Sequence, residues 1–246
     1  MYMELNGIRK SYRTRRNELL NVLSDISLAV QENEIVSLIG QSGCGKSTLL
    51  KIIAGIEQPD SGLVRFQGRP VTGLSTNRGY IYQDYALFPW LTVRQNISFG
   101  LRNQRIAKGY KRLLVEGYVD KFGLNSAKNL YPHQLSGGMK QRTAIARALC
   151  MKPGLLLLDE PFSALDMMNR YKLQDELLAV WGTEKMTYIL VTHDIEEAIY
   201  LSDRIVVMTP SPSQIKEVVS IPIARPRVRT SLEFVKIRER ISDLLF

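Results

Sequence analysis

The chain has 246 residues, of which 45% are hydrophobic and 23% charged, and its formal net charge is +9. This composition is ordinary for a folded protein, and the length suits one large α/β domain with an inserted subdomain. No run of 18 apolar residues occurs, which excludes a spanning helix, and the start MYMELNGIRK predicts no secretory signal, so we expect a cytosolic protein. Cys44 and Cys150 are too few for a disulfide framework, and we expect both to be reduced.

The predicted elements alternate between short apolar runs and helical patterns along most of the chain. Segments around 3–8, 26–30 and 62–67 are typical of antiparallel strands, and EIVSLI (34–39) predicts a buried strand followed by the helical stretch STLLKIIAGI. Three further buried strands are predicted at 155–159, 188–192 and 204–208. Because helical patterns separate these runs, they predict a mainly parallel sheet wrapped by helices.

Two regions depart from this alternation. Residues 85–150 are mostly helical in pattern and predict a helical subdomain inserted into the α/β core. The tail after Pro226 predicts an amphipathic helix that packs on the chain's own core through Phe234, Ile237, Ile241 and Leu244. We therefore expect a single domain over 1–246, divided into a core with a β-subdomain (1–84 and 151–215), a helical subdomain (85–150) and a tail (216–246).

A phosphate-binding loop is predicted at residues 40–48, GQSGCGKST, which match the pattern G-x-x-x-x-G-K-[ST] in full. Glycines allow backbone N–H groups to converge on the β-phosphate, and Lys46 reaches the β- and γ-phosphates. The Ser47 hydroxyl is a predicted Mg²⁺ ligand, Thr48 is assigned to the α-phosphate, and Cys44 is expected to be a small packing residue. The predicted nucleotide-binding residues of the loop are Gly40, Ser42, Gly43, Cys44, Gly45, Lys46, Ser47 and Thr48.

An acidic pair, Asp159 and Glu160, ends the apolar strand in LLLLDEP (155–161). Asp159 is placed to hold Mg²⁺, directly or through water. Glu160 can accept a proton from a water that attacks the γ-phosphate. Kinases that use a phosphate loop also have an aspartate at the end of a strand. The acidic pair therefore indicates a nucleotide-binding protein but does not show which reaction it catalyses.

The segment LSGGMKQR (135–142) predicts a second anion site, one without a lysine. Ser136 is a favourable N-cap residue. A helix that begins at Gly137 presents free N–H groups and a positive dipole end to an anion. The segment alone does not explain why one chain carries two such sites.

Six motifs in chain order resemble those of the nucleotide-binding subunits of ATP-binding cassette (ABC) transporters: GQSGCGKST, YIYQDY, LSGGMKQR, LLLLDEP, SALD and VTHD. The resemblance covers nearly the whole chain. It implies a P-loop NTPase core of the RecA-like type with an antiparallel β-subdomain and an inserted helical subdomain. In that family the signature binds the γ-phosphate of ATP held by the other subunit. The resemblance therefore implies a head-to-tail dimer that encloses two ATP molecules with Mg²⁺, each signature (Ser136, Gly137, Gly138) facing the nucleotide of the second copy.

The resemblance also implies roles for residues outside the two anion sites. Gln83 contacts Mg²⁺ and the attacking water, and His193 holds the γ-phosphate and orients that water. Asp166 crosses the dimer interface, and Tyr12 stacks on adenine. On pattern alone, His193 can be an ordinary strand-end residue and Tyr12 a core aromatic. Asn33, where many relatives have Gly, removes no catalytic group, so we expect an active ATPase.

The segment after Gln83 resembles the part of importer ATPases that receives a short helix from the membrane subunit. LFPWLTV and the tail RPRVRTSLEF resemble importers of nitrate, sulfonate, taurine and related small solutes. This implies membrane permease subunits bound around residues 83–100, a peripheral location at the cytoplasmic face of the cell membrane, and a periplasmic or extracellular solute-binding protein acting indirectly. A buried cluster of Phe88, Pro89 and Trp90 is the alternative for this segment.

Other functions stay open on the sequence. They are an ABC ATPase of an exporter or lipid-transport system, a non-transport cassette ATPase acting on DNA or ribosomes, and a small-molecule kinase. The basic clusters RKSYRTRR, Arg102–Arg112 and RPRVR lack the interleaved aromatics of a base-stacking surface, so no nucleic-acid partner is expected. Solvated or lipid-facing surfaces explain them better. The transported solute cannot be predicted, because such an ATPase touches only nucleotide and membrane subunit.

Overall fold

The computed structural model describes residues 1–102, 104 and 106–245. Asn103, Arg105 and Phe246, which fall in the predicted helical subdomain, basic cluster and tail, lie outside the described residues. The chain forms two compact units: the first comprises Met1–Ser75 and the segment from Thr187 onward, and the second comprises Thr76–Met186. In the part of the chain that the structure describes, no helix is long and apolar enough to cross a membrane.

The helices and strands alternate along most of the chain. In chain order they are β1 (Met3–Arg13), β2 (Leu19–Val30), β3 (Ile35–Ile39), α1 (Lys46–Ala54), β4 (Ser61–Phe66), β5 (Arg69–Pro70), β6 (Arg78–Ile81), α2 (Val93–Ser98), α3 (Lys108–Lys121), α4 (Gly137–Leu149), β7 (Leu155–Asp159), α5 (Met167–Glu184), β8 (Thr187–Val191), α6 (Ile195–Leu201), β9 (Arg204–Met208), β10 (Ile215–Ser220) and α7 (Leu232–Leu245). Short 3-10 helices lie at Phe99–Leu101, Asn125–Ala127 and Pro132–Gln134.

The first unit contains the predicted antiparallel sheet, in the strand order β2-β1-β4-β5. In the same unit β3 lies between β8 and β9 and is parallel to both, while β10 pairs antiparallel with β9. Every residue of β3 and β8 is buried. Strands buried on both faces have continuous apolar sequences, which is why they could be predicted to within one residue. The edge strand β10 was not predicted, and it occupies the start of the predicted tail.

In the second unit, β6 pairs parallel with β7, and α2, α3 and α4 occupy the predicted helical segment. The strand β7 has the predicted bounds and is fully buried. The strand β6 was not predicted, because it has four residues and Ile81 alone among them is buried. The bounds predicted for the helical subdomain and the tail stay a prediction.

The tail helix α7 packs on α6 and β9 of the first unit. Phe234 and Ile241 are fully buried, and Ile237 and Leu244 are partly buried, which confirms the predicted apolar face. Asn33 has φ 61°, the left-handed region in which Asn is among the better-tolerated residues after Gly. This backbone conformation accounts for the acceptance of Asn here.

Candidate active site

The phosphate loop connects β3 to α1, and packing leaves no room for a side chain at two of its glycines, Gly40 and Gly45. A side chain on Gly40 would place a Cβ 3.0 Å from the carbonyl oxygen of Met208, and one on Gly45 would come within 2.8 Å of Val22 Cγ1. Gly45 also has φ 102° and Gly43 has φ 77°, both in the left-handed region. The loop is thus held close to its neighbours, and its backbone follows a path that other residues adopt only under strain.

Lys46, the first residue of α1, is 5% exposed and turned into the loop. Its Nζ donates hydrogen bonds to the carbonyl oxygens of Gly40 (2.8 Å) and Gln41 (3.0 Å). Ser47 and Thr48 complete the start of the helix and are partly buried. A cation and the N–H groups of a helix start therefore converge at one loop, which is the donor set that a phosphate requires.

The remaining loop residues differ in exposure. Ser42 and Gly43 are exposed, so their N–H groups lie at the surface where a ligand can approach. Cys44 is 1% exposed, and its Sγ lies 3.9 Å from Lys46 Nζ. Its burial agrees with the predicted packing role.

Tyr12 of β1 lies beside the start of α1. Its hydroxyl is 3.5 Å from Thr48 Oγ1 and donates a hydrogen bond of 2.5 Å to the Glu57 carboxylate. The side chain is 37% exposed, so Tyr12 is not a core aromatic. An exposed ring held next to the phosphate loop is available for stacking on a base, and the adenine contact itself stays a prediction.

His193 follows β8, the strand that pairs parallel with β3. Since the phosphate loop follows β3, both lie at the same edge of the sheet in the first unit. The Thr192 N–H donates to the carbonyl of Leu38 (3.3 Å), which fixes the chain one residue before His193. Asp194 then caps α6, accepting from Glu196 N at 2.8 Å and from the next N–H at 3.1 Å. His193 is exposed between a buried strand and a capped helix.

In the second unit, Asp159 ends β7 and is 8% exposed. Its carboxylate accepts a hydrogen bond of 2.8 Å from the hydroxyl of Tyr80 on β6. Burial, and next the nearby Asp159 charge, raise the pKa of Tyr80 far above its usual value, so the phenol stays a donor. Gln83 follows β6 in an exposed turn, and β6 and β7 run parallel, so Gln83 and Asp159 lie at the same edge of the pair.

Glu160 has φ 46°, a left-handed conformation that is rare for residues other than glycine. Its carbonyl accepts hydrogen bonds from Ser163, 3.3 Å from the backbone N–H and 3.0 Å from the hydroxyl. Backbone strain of this kind persists where the surrounding structure imposes it and is common in active sites. The surrounding structure therefore fixes the backbone at Glu160, and its role as a proton acceptor stays a prediction.

The signature segment begins α4 as predicted. The Ser136 hydroxyl accepts a hydrogen bond of 3.3 Å from Met139 N and so caps the helix. A Cβ on Gly137 would lie 3.3 Å from the Tyr85 hydroxyl, and one on Gly138 would lie 3.8 Å from the Asn169 side chain. Glycine at position 137 lets the helix start lie close to the Tyr85 hydroxyl, and both glycines leave the N–H groups there uncovered by side chains of their own.

Asp166 caps α5 and is tied to the residue that flanks the signature. Its carboxylate accepts from Asn169 N (3.0 Å) and from Asn169 Nδ2 (2.6 Å). These hydrogen bonds lower the pKa of Asp166. Because the Asn169 side chain lies next to Gly138, the structure brings Asp166 and the signature together in the second unit.

Arg147 of α4, which belongs to none of the six motifs, holds the turn after Gln83. It donates to the carbonyl oxygens of Ala86 (2.7 Å) and Tyr85 (3.2 Å), two consecutive residues with positive φ. Burial lowers the pKa of Arg147. The signature helix is thus linked directly to the predicted permease-binding segment.

An aromatic cluster lies in that same segment. The ring centroid of Phe88 is 5.7 Å from that of Trp90 and 4.2 Å from that of Phe99, and the Arg147 guanidinium lies 5.6 Å from the Phe88 centroid. Trp90 is 69% exposed, so the alternative of a buried aromatic cluster is wrong for this residue. Pro89 is exposed as well.

Each of the two units contains a side chain of the kind that binds a magnesium ion together with a nucleotide. Within residues 1–102, 104 and 106–245, no group of three or more His, Cys, Asp or Glu side chains is placed to hold a metal ion. Mg²⁺ is usually bound in such proteins by one or two side chains together with substrate phosphates and water. Asp159 and the Ser47 hydroxyl are ligands of that kind.

The chain is similar to known ATP-binding proteins over nearly its full length. It matches the family described as ABC transporter over residues 23–163. An uncharacterized ABC transporter ATP-binding protein of Methanocaldococcus jannaschii is 45% identical, covering 99% of this chain and 91% of that protein. An aliphatic sulfonates import ATP-binding protein of Bacillus licheniformis is 46% identical (90% and 86%), and a nitrate import ATP-binding protein of Synechococcus elongatus is 40% identical (100% and 92%).

Solved structures have the same fold. A dimeric ATP-binding cassette in a post-hydrolysis state, bound to ADP and Pi, superposes with a TM-score of 0.80 at 28% identity, covering 90% of this chain and 100% of that chain. A subunit of an ABC transporter complex from Clostridium perfringens superposes with a TM-score of 0.78 at 28% identity, covering 90% and 88%. These similarities confirm the fold class predicted from the six motifs. The chain belongs to the ABC transporter family and is one of its ATP-binding proteins.

Proposed function

We propose that this chain hydrolyses ATP to drive import of a small solute through membrane permease subunits. One observation carries the proposal: the phosphate loop, with Lys46 buried in it, occurs in a chain 40–46% identical to sulfonate and nitrate import ATP-binding proteins. Similarity to import ATP-binding proteins favours an importer over an exporter, a lipid-transport system or a non-transport cassette ATPase. The proposed location is the cytoplasmic face of the cell membrane.

In the proposed reaction, water attacks the γ-phosphate of ATP and the products are ADP and phosphate. Glu160 accepts the proton of the attacking water, and His193 holds the γ-phosphate and orients that water. Lys46 exchanges its hydrogen bonds to the loop carbonyls for phosphate oxygens. Tyr12 stacks on the adenine, and its position beside Thr48 supports this role.

Magnesium would be held by Ser47, Asp159 and Gln83. When bound, the ion neutralises charge that develops on the β- and γ-phosphates. The Tyr80 hydroxyl donates to Asp159 and so holds its carboxylate in one orientation. We assign Tyr80 as a positioning residue for this ligand.

We infer that the active form is a head-to-tail dimer. The uncovered N–H groups at the start of α4, with Ser136, Gly137 and Gly138, form an anion site that has no lysine of its own. Such a site is too weak to retain ATP alone but can close over a nucleotide that a second copy of the chain already holds. Asp166, placed beside this helix start, is proposed to cross the interface.

The exposed aromatic cluster is the proposed contact with the permease. Trp90 offers a large apolar surface, and Arg147 connects the same segment to the signature helix. Closure of the dimer over ATP would therefore change the position of the permease contact, and hydrolysis would reverse it. By analogy with the relatives' names, the solute belongs to the nitrate and sulfonate class, and a solute-binding protein outside the membrane selects and delivers it.

The hydrolysis part is tested with purified chain, MgATP, light scattering and phosphate release. We expect Glu160→Gln to stop turnover and to accumulate an ATP-dependent dimer, and added Ser136→Arg to abolish that dimer. Glu160→Gln with MgADP is the matched control and should remain monomeric. Wild-type turnover in Glu160→Gln would refute the assignment of Glu160.

The transport part is tested by extracting membranes of the native cell in mild detergent and purifying the tagged chain. A multi-spanning membrane protein recovered in near-equal amount is the expected result. Recovery in the soluble fraction with ribosomes or DNA would refute import and leave the ATPase chemistry intact.

A further inference from the structure

Three alternating arginines of the tail, Arg225, Arg227 and Arg229, contact the C-terminal end of α6. We call them the tail arginines. The helix α6 comes directly after His193 and Asp194, and it has seven residues. So short a helix has little stability of its own, and it is held in place by the packing of its buried residues and by the groups that contact its ends.

Arg227 is the central member and is 5% exposed. Its guanidinium donates to the carbonyl oxygens of Ser202 (2.6 Å), Tyr200 (3.3 Å) and Ile199, and its Nε donates to Ile223 (2.9 Å). The last carbonyls of a helix have no partner within the helix and need one from outside. A positive charge at this end also interacts favourably with the helix dipole. Arg227 therefore supplies both the missing donors and the favourable charge.

The other two tail arginines act on the same end. Arg225 donates to the carbonyl oxygen of Leu201 (2.6 Å) and pairs with the Asp203 carboxylate (2.6 Å). The second carboxylate oxygen of Asp203 accepts from the N–H of Ile35, the first residue of β3 (2.9 Å). The Arg229 guanidinium lies 3.5 Å from the ring centroid of Tyr200. The end of α6 is thus connected to the strand that leads into the phosphate loop.

The first turn of α6 also contacts the tail. Arg238 of α7 pairs with Glu196 at 2.9 Å. These two residues line a cleft of about 560 Å³ together with His193 and Asp194. Both ends of α6 are therefore held by the tail, and His193 lies at the border of one of them.

We propose that the tail arginines, with Arg227 as the principal one, position His193 for ATP hydrolysis by holding α6. This inference rests on the proposed function, because it presupposes that His193 orients the reacting groups. Arg227 is a positioning residue in this account, since it acts through α6 and touches no nucleotide. The phosphate loop binds ATP without α6, so a defect at Arg227 should lower turnover much more than nucleotide affinity.

The test is a double-mutant cycle of Arg227→Met and His193→Ala on the full chain, with kcat and the Kd for MgATP measured for each variant. We expect Arg227→Met to lower kcat about 10- to 100-fold, as for other displacements of catalytic groups, with little change in Kd. In the His193→Ala background, Arg227→Met should cause no further loss of kcat. Arg227→Lys keeps the positive charge but has fewer hydrogen-bond donors, so it should lose less kcat than Arg227→Met.

Two variants of less buried residues keep the test independent of folding, since Arg227 is buried. Arg229→Leu and Arg238→Met each remove one tail contact with α6 and should show smaller losses of kcat that also vanish in the His193→Ala background. Arg240→Met is the matched control: Arg240 pairs with Glu217 at 2.5 Å, and its side chain is 62% exposed. It should leave kcat unchanged.

The outcomes separate the inference from the proposed function. Equal fold losses in the wild-type and His193→Ala backgrounds, or a fall in nucleotide affinity that matches the fall in kcat, would overturn the positioning role alone. Wild-type turnover in His193→Ala would refute the role of His193, and the inference would fall with it. The inference would also be overturned if kcat stayed unchanged in all three variants, Arg227→Met, Arg229→Leu and Arg238→Met.

Discussion

The hydroxyl of Tyr80 donates a hydrogen bond of 2.8 Å to the carboxylate of Asp159 on the neighbouring parallel strand. The two residues are 79 positions apart in the chain, and β6 and β7 bring them together. A buried carboxylate that keeps a neutral donor is held in place and still offers its charge to a cation. The contact thus accounts for an aromatic residue in a strand that carries no other obvious functional group.

Replacing Tyr80 by Phe should lower the free energy of unfolding by about 1–3 kcal/mol, because Asp159 then stays buried without this donor. In the unfolded chain Tyr80 ionises near pH 10, whereas in the folded protein its pKa is raised and the phenol stays neutral. Its contribution is therefore complete below pH 10 and is lost as the pH rises above 10. Urea denaturation of both proteins between pH 8 and 11 should show a stability difference that shrinks above pH 10. A difference independent of pH would contradict this account.

The left-handed backbone of Glu160 predicts a conflict between stability and activity. Glu160→Gly should abolish hydrolysis, as we expect also of Glu160→Gln, and yet be more stable than Glu160→Gln by about 0.5–1 kcal/mol. Glycine relieves the strain at φ 46°, although its freer unfolded chain offsets part of the gain. Thermal denaturation without nucleotide measures the difference. A Gly variant less stable than the Gln variant would show that the strain costs little.

Arg147→Met should destabilise the protein by about 1–3 kcal/mol, since two carbonyl oxygens of the turn at Tyr85 and Ala86 lose their donor. The same turn should become easier to cleave with protease. Arg147→Lys is the matched variant and should lose less, because an ammonium group keeps the charge and part of the hydrogen bonding. Urea denaturation and the position of the first proteolytic cut are the measurements. Wild-type stability of Arg147→Met would mean that the turn holds its shape without the guanidinium.

Trp90→Ala should change the free energy of unfolding by no more than about 0.5 kcal/mol, because the side chain is 69% exposed. It should nevertheless reduce recovery of the membrane subunit with the tagged chain. Leu74→Ala is the matched control, since Leu74 is 78% exposed and lies outside the aromatic cluster. Undiminished recovery with Trp90→Ala would exclude this residue from the permease contact.

Cys150 should resist alkylation in the folded protein. The residue is 1% exposed, and burial raises the pKa of its thiol to about 12, so very little thiolate is present at pH 8. Iodoacetamide labelling followed by mass spectrometry should detect modified Cys150 in urea and very little in native buffer. Rapid labelling in native buffer would indicate that α4 opens locally at its C-terminal end.

Much of the fold could be predicted from local patterns. The strands β3, β7, β8 and β9 are buried on both faces, so each is a continuous apolar run that stands out in the sequence. The strands β6 and β10 could not be predicted, because β6 has four residues and β10 lies at a sheet edge with alternating exposure. Such strands form because a neighbouring strand offers hydrogen bonds, and for β6 that neighbour, β7, is distant in the chain.

The candidate site divides in the same way. The sequence alone determined the phosphate loop, the acidic pair and the signature, because their function depends on residues that follow one another directly. The roles of Tyr80, Arg147 and Arg227 could be seen only in the tertiary structure. Each donates hydrogen bonds to a carboxylate or to backbone carbonyl groups that are remote in sequence. Because every residue has a carbonyl group, no pattern of side chains predicts which carbonyl groups will be bound.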